Sequence, residues 1–213
     1  MKTHLTVLVL LLLVISPMNS VNAYQYAVDD GTGENSIGNG IGDEQYPFTW
    51  MNQFNTVAGA ENIQSISVAW GAVPDGSPYT AAIWSDPNDD GNPTDAVLLE
   101  SIAVTVQNSN TDTFNLIDID DTLVSGSFFV GFIADFLVPI PYPARIDQTA
   151  SLGRSWIGFP ADYIIIDNIS PDFAGNWMVR ANAVSAAPIP EPSTFILLGA
   201  GLAGLAVWRR KRS

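Results

Sequence analysis

Asn176-Trp177-Met178-Val179-Arg180-Ala181-Asn182-Ala183-Val184 is the stretch that decides the fold class. Trp177, Val179, Ala181 and Ala183 alternate with Met178, Arg180 and Asn182, which is the period of two of a strand with one face against a core. Working outward, the same short β-rich runs recur between Gly, Pro, Asn and Asp punctuation, and no helical periodicity of convincing length intervenes. The spacing predicts strands over 25–28, 63–70, 79–85, 96–106, 113–119, 127–136, 154–159, 163–166 and 176–184. Ile66, Val68 and Trp70 share one face of the second run, and Phe114 and Leu116 share one in a later run. Many short strands with turns between them specify an all-β chain, a single antiparallel β-sandwich of jelly-roll-like topology. The glycine-rich, acidic segment 29–43 is expected to be a long loop after the first strand. No internal repeat is visible.

Both ends depart from this pattern. Lys2, the apolar run 5–15 and the small-residue site Val21-Asn22-Ala23 before Tyr24 form a signal peptide over 1–23, cleaved between Ala23 and Tyr24. At the other end, Pro190-Glu191-Pro192-Ser193-Thr194 leads into the uncharged run Phe195 to Trp208, and Arg209-Arg210-Lys211-Arg212 follows. From Ser193 to Trp208 the segment makes about 24 Å of helix against a hydrocarbon core of roughly 30 Å, a short transmembrane span helped by interfacial Trp208 and snorkelling arginines. The terminal cations stay cytoplasmic, which places everything before Pro190 outside. Pro190 and Pro192 keep their segment extended and out of the helix, open to an enzyme's active site.

This tail resembles the PEP-CTERM sorting signal of exported bacterial proteins: Pro190, Glu191 and Pro192 match its motif, 195–208 its helix and 209–212 its basic end. The resemblance implies an exosortase, a membrane-embedded cysteine transpeptidase, as partner. It also implies an inner-membrane intermediate and then the cell surface or extracellular matrix. The domain reading is a signal peptide at 1–23, a β-sandwich at 24–187 and a sorting signal at 188–213. The sandwich, through Val28-Asp29-Asp30-Gly31, Ile83-Trp84-Ser85-Asp86 and Gly175-Asn176-Trp177-Met178-Val179-Arg180, is similar to β-sandwich modules of secreted bacterial proteins. No functional residue is transferred from that likeness.

Removing the two targeting segments sharpens the composition. The chain has 22 acidic residues, of which Glu191 leaves with the tail, and eight cations, of which Arg145, Arg154 and Arg180 remain in the body. Twenty-one acids against three bases give the body a formal charge of −18, with no lysine. Such a surface repels phosphate backbones and excludes nucleic acid as a partner. The one histidine, His4, lies in the signal peptide, and there is no cysteine. Ser-His-Asp and Cys-His nucleophile systems and histidine-type zinc sites are thereby excluded from the body.

One constellation has a chemical reason behind its spacing. In Asp86-Pro87-Asn88-Asp89-Asp90-Gly91-Asn92-Pro93-Thr94-Asp95, oxygen ligands at Asp86, Asn88 and Asp90 before Gly91 reproduce the first half of a calcium loop. Position twelve is Val97 rather than Glu and no helices flank it, so this is not an EF-hand. Asp95 or Glu100 would have to supply the missing carboxylate for Ca2+. The alternative is an acidic proline-glycine turn between two strands. A second run, Asp118-Ile119-Asp120-Asp121, reads as solvated residues at a strand end. Among the tryptophans, Trp70, Trp84 and Trp177 belong to strands and to the core, whereas Trp50 and Trp156 are the candidates for exposed rings that stack on sugars. These features lead to a non-enzymatic exported surface or matrix component. The alternatives are a carbohydrate-binding module on extracellular polysaccharide and, third, a small glycoside hydrolase working with paired carboxylates.

Overall fold

The alternation at 176–184 finds its partner layer in a computed structural model that describes residues 23–38, 40–41, 44–45, 48–134, 142–159 and 162–184. The strands in chain order are β1 (Ala23–Tyr26), β2 (Asn35–Ile37), β3 (Gly40–Ile41), β4 (Glu44–Gln45), β5 (Phe48–Asn55), β6 (Asn62–Val68), β7 (Trp70–Ala72) and β8 (Pro78–Ser85). They continue with β9 (Val97–Thr105), β10 (Asn115–Leu123), β11 (Ser127–Ala134), β12 (Tyr142–Asp147), β13 (Ser155–Phe159), β14 (Asp162–Ile165), β15 (Asn176–Trp177) and β16 (Val179–Val184). Every pairing among them is antiparallel. One layer is a six-stranded sheet in the order β14-β13-β5-β11-β8-β9. The other combines β1-β16-β6-β10 with β15-β12-β2, where β7 also pairs with β12.

Two predicted strands prove to be broken, and the breaks position the rest. The run 63–70 is interrupted at Ala69 and the run 176–184 at Met178. The Ala69 amide donates to the Met178 carbonyl at 3.1 Å, and the Met178 amide donates to the Arg145 carbonyl at 3.0 Å. The two breaks thus lie side by side and let β12 pair with both β7 and β15.

The core lies between the layers. Trp50 stacks on Phe132 with ring centroids 5.4 Å apart and on Phe48 at 5.1 Å, and Trp70 meets Phe132 edge-on at 4.9 Å. Ile63, Ile66, Val68, Val179 and Ala181 of the opposite layer complete it. A second, smaller cluster of Met51, Ala82, Trp84 and Phe129 covers the other face of the six-stranded sheet. Strand β5 is therefore buried on both faces, so Phe48-Thr49-Trp50-Met51-Asn52-Gln53-Phe54 shows no apolar-polar alternation and was not among the predicted strands. Asn52 pins the layers together: its amide donates to the carbonyls of Trp177 and Val179, both at 2.8 Å, and its oxygen accepts the Ser155 hydroxyl at 2.7 Å.

The predicted long loop at 29–43 holds β2 and β3, and its first part is tied to β12 and the residues after it. The Asp147 carboxylate accepts the Asp30 amide at 2.8 Å, and Glu34 accepts the Gln148 amide at 2.6 Å. Residues 23–185 form a compact unit by themselves. The expected cleavage point lies in β1, where Ala23 pairs with Val184 and Tyr24 with Ala183. The remainder of the signal peptide, the Pro190-Glu191-Pro192 motif and the expected span at 195–208 lie outside the described residues. Among the described residues, no helix is long and apolar enough to cross a membrane.

Candidate functional site

The 86–95 loop connects β8 to β9 and is shaped by its own side chains. Asp86 is buried, and its two oxygens accept the amides of Asp89 at 3.1 Å and Gly91 at 2.7 Å. Gly91 has φ of 76° and Asp89 of 59°, the left-handed turns that such a tight return needs. Asn92 caps the short 3-10 turn Pro93–Asp95 by accepting the Thr94 amide at 3.0 Å, and this swings Asp95 back towards the loop's start. The outcome is that carboxylate oxygens of Asp86, Asp90 and Asp95 all lie within 4.8 Å of one another. Oxygens ligating one calcium at about 2.4 Å are separated by no more than about 5 Å, so the spacing fits a single ion. Asn88 is placed differently: its oxygen accepts the Asp90 amide at 3.0 Å and its amide donates to the Asp90 carboxylate at 3.2 Å. It braces the loop, while Glu100 sits away on β9.

The tryptophan assignments require one correction. Trp50 is 0% exposed, sandwiched between Phe48 and Phe132, and offers no face to a sugar. It belongs to the central strand β5 rather than to an exposed position. Trp156 is half-buried against the outer cluster of Met51, Ala82, Trp84 and Phe129, and its carbonyl accepts the Trp177 indole N–H at 2.9 Å. The run Asp118-Ile119-Asp120-Asp121 lies inside β10 rather than at a strand end.

A polar basin of about 410 Å³ that the sequence did not suggest opens between β2, β7, β12 and the 107–113 loop. Tyr142, 44% exposed, stands at its wall with Glu34, Asn35, Asn110 and Arg145. Gly71 lets β7 and β12 approach this closely, since a Cβ there would come within 2.2 Å of the Tyr142 carbonyl oxygen. Arg145 is held in place by Asp112, at 2.9 Å and 3.1 Å from two of its nitrogens, and by the Gly33 carbonyl at 2.5 Å. Asn110 has φ of 54°, and its amide is shared between the carbonyls of Trp70 and Gly71 at 3.0 Å each. The basin therefore presents one aromatic face beside planar amide, carboxylate and guanidinium groups on a rigid frame. The signal available in the sequence was the scarcity of cations, because each of three arginines in so acidic a body must have a place.

Arg180 is the second such arginine. It forms a forked ion pair with Asp29, whose side chain is 0% exposed, reaches Gln25 at 3.2 Å and lies 3.9 Å above the Phe114 ring.

Comparison with known proteins identifies the tail. Residues 188–211 match the PEP-CTERM protein-sorting motif. The chain thus carries the sorting signal of an exosortase substrate joined to a β-rich body. No curated protein matches the chain. Among solved structures, it is similar to the cysteine protease and lectin-like domains of Cwp84, a surface layer associated protein of Clostridium difficile. That match has 16% identity and a TM-score of 0.50 over 67% of this chain and 33% of that one. A second structure, clostridial cysteine protease Cwp84 after propeptide cleavage, matches at 16% identity and TM-score 0.55 over 77% of this chain and 40% of that one. The chain spans between a third and two fifths of the length of these structures, and the likeness concerns the fold alone.

Proposed function

We propose that this chain is an exported, non-enzymatic component of the cell surface or extracellular matrix, delivered as a jelly-roll-like sandwich and processed at its tail by an exosortase-type transpeptidase. The sorting motif at 188–211 carries the reading. The absence of cysteine, and of any histidine beyond His4, supports it by removing the usual nucleophile systems. The surface-layer association of Cwp84 is in keeping with the same location. The test is expression with and without a cognate exosortase, followed by mass spectrometry of the surface and membrane fractions. Loss of the segment after the Pro190-Glu191-Pro192 motif in the presence of the enzyme, and its retention in a Glu191→Ala variant, is expected. A tail that stays intact beside an active exosortase would end the proposal.

Two finer readings accompany this. The basin at Tyr142 favours attachment to a neutral polysaccharide, with the phenol ring against a sugar face and Asn35, Asn110 and Arg145 near its hydroxyls. Affinity electrophoresis in neutral glucans and galactans tests it, with Tyr142→Ala expected to abolish retardation. A retardation that survives this variant would place any binding elsewhere. Asp86, Asp90 and Asp95 are proposed to hold calcium as a structural staple, with the loop that they close lying across one end of β8 and β9.

A further inference from the structure

The two layers of the sandwich end side by side in β9 and β10, and no other strand among the described residues covers either outer edge. Natural edges of this kind are kept short or guarded with charge. Strand β9 is nine residues long and carries a single charge, Glu100, while Val97, Leu98, Leu99 and Ile102 are exposed. Register explains why this is more than a scattered apolar surface. Val104, Ile102 and Glu100 pair with Tyr79, Ala81 and Ile83, all buried in the core, so these three face inward. On β10, Ile117 pairs with Ile66 of the core and faces inward as well. Yet Ile102 is 38% exposed, and a groove of about 450 Å³ runs between the two strands over Ile102, Val104 and Ile117. A second hollow of about 230 Å³ continues it past Ile102 to Glu100, Asp118 and Asp120. The groove is apolar at one end and acidic at the other.

We propose that this open edge docks an extended segment of another protein, which adds to β9 as an antiparallel strand and presents, from its N- to its C-terminus, apolar-x-apolar-x-Lys or Arg. The order follows from the geometry. An antiparallel strand beside β9 passes Val104, then Ile102, then Glu100, and its alternate residues point into the groove. The first two meet the apolar floor, and the third meets Glu100 with Asp118 and Asp120 nearby. Charge selects the partner: three carboxylates at one end, on a body of formal charge −18, disfavour a second copy of this chain and favour a cationic segment. The site does not depend on the fate of the tail.

The probe is the capped peptide Thr-Val-Thr-Ile-Thr-Arg-Thr, titrated calorimetrically into the full chain in detergent, against a peptide with Glu replacing Arg and one of reversed sequence. Saturable one-to-one binding of the first is expected, weakened at least about tenfold in the other two. Ile102→Glu should abolish it. Asp118→Lys combined with Asp120→Lys should invert the preference so that the Glu peptide binds better, an outcome that misfolding cannot mimic. Equal binding of the Arg and Glu peptides, absence of saturable binding to the Arg peptide, or indifference to Ile102→Glu overturns the proposal. So does a sedimentation dimer that Ile102→Glu dissolves, since the occupant would then be a second copy.

Discussion

Replacing Asn52 by alanine tests the idea that one buried amide, rather than area alone, sets how the two layers meet. The side chain is fully buried, donates to the Trp177 and Val179 carbonyls at 2.8 Å each and accepts from the Ser155 hydroxyl at 2.7 Å. The Ser155 oxygen in turn accepts the Trp177 amide at 3.0 Å. Truncation removes three hydrogen bonds worth about 1 kcal/mol net each, and partners left dry and unpaired add about 1–3 kcal/mol apiece where nothing replaces them. The expected loss is about 3–5 kcal/mol, or about 10 °C in Tm at about 2–4 °C per kcal/mol for a domain of this size. Asn52→Asp separates polarity from shape, because it keeps the volume but turns the donor into an acceptor facing two carbonyls. At neutral pH it should be worse than alanine. Burial raises the introduced carboxyl's folded pKa above its unfolded value of about 3.9, so the folded variant gains a proton as pH falls and its deficit narrows on acidification. Urea unfolding of residues 24–187, followed by tryptophan emission at neutral and mildly acidic pH, measures both. An alanine cost below about 1 kcal/mol, or an aspartate variant no weaker than alanine at neutral pH, refutes the reasoning.

Removing Arg180 should cost about 3–5 kcal/mol, because Asp29 is left charged with its side chain 0% exposed. The Asp29→Asn, Arg180→Met double variant should recover a large part of this in a double-mutant cycle, and simple additivity would show that the pair is not coupled. Burial raises the phenol pKa values of Tyr26, Tyr79 and Tyr163. A raised folded pKa means that the contribution is complete below the unfolded value of about 10 and is lost as pH rises through the folded values. Tyrosinate absorbance should therefore show these rings ionising only with alkaline unfolding, and reversible titration of every tyrosine in the folded protein contradicts it. If Asp86, Asp90 and Asp95 bind calcium with an extracellular-type affinity of about 0.1–1 mM, ~1 mM calcium stabilises the body by roughly 0.4–1.4 kcal/mol. A chelator should lower the melting midpoint of the wild type but not of Asp90→Asn, and an unchanged wild-type midpoint removes the site.

Legibility in the sequence followed how local each feature is. Strands β6 and β16 keep one face towards the core, and their periodicity located them to within a few residues, whereas β8 and β11, buried on both faces, stand out as unbroken β-rich runs between turn signals. Strand β5, likewise buried on both faces, escaped because the polar Thr49, Asn52 and Gln53 interrupt its apolar run, and the partners that satisfy Asn52 are more than a hundred residues away. The same blindness made Trp50 look exposed. Asp86, Asp90 and Asp95 converge because they lie within ten residues of one local turn, whereas Asn88, equally close in sequence, turns to brace the loop and Glu100 stays on β9. The basin at Tyr142 draws on residues 34–36, on 72, on 110 and on Tyr142 with Arg145, and nothing in any one segment announces the other three.

Electrostatics constrains what such a body can hold on to. Of its three arginines, Arg145 is engaged by Asp112 and Arg180 by Asp29, and among the described residues most carboxylates are exposed and outside those two ion pairs. An acidic polysaccharide approaching this surface meets repulsion that is screened only beyond about 8–10 Å at physiological salt. A glycan ligand at Tyr142 must therefore be neutral or arrive bridged by divalent ions. The calcium and glycan readings are thus linked: an acidic matrix polymer that binds only with calcium present, and still binds after Asp90→Asn, would be held by bridging ions rather than by the 86–95 loop. Binding of a neutral polymer that ignores calcium would place the contact at the basin itself. The same charge that keeps copies of the body apart makes cations, basic segments and uncharged sugars the ligands it can retain outside the cell.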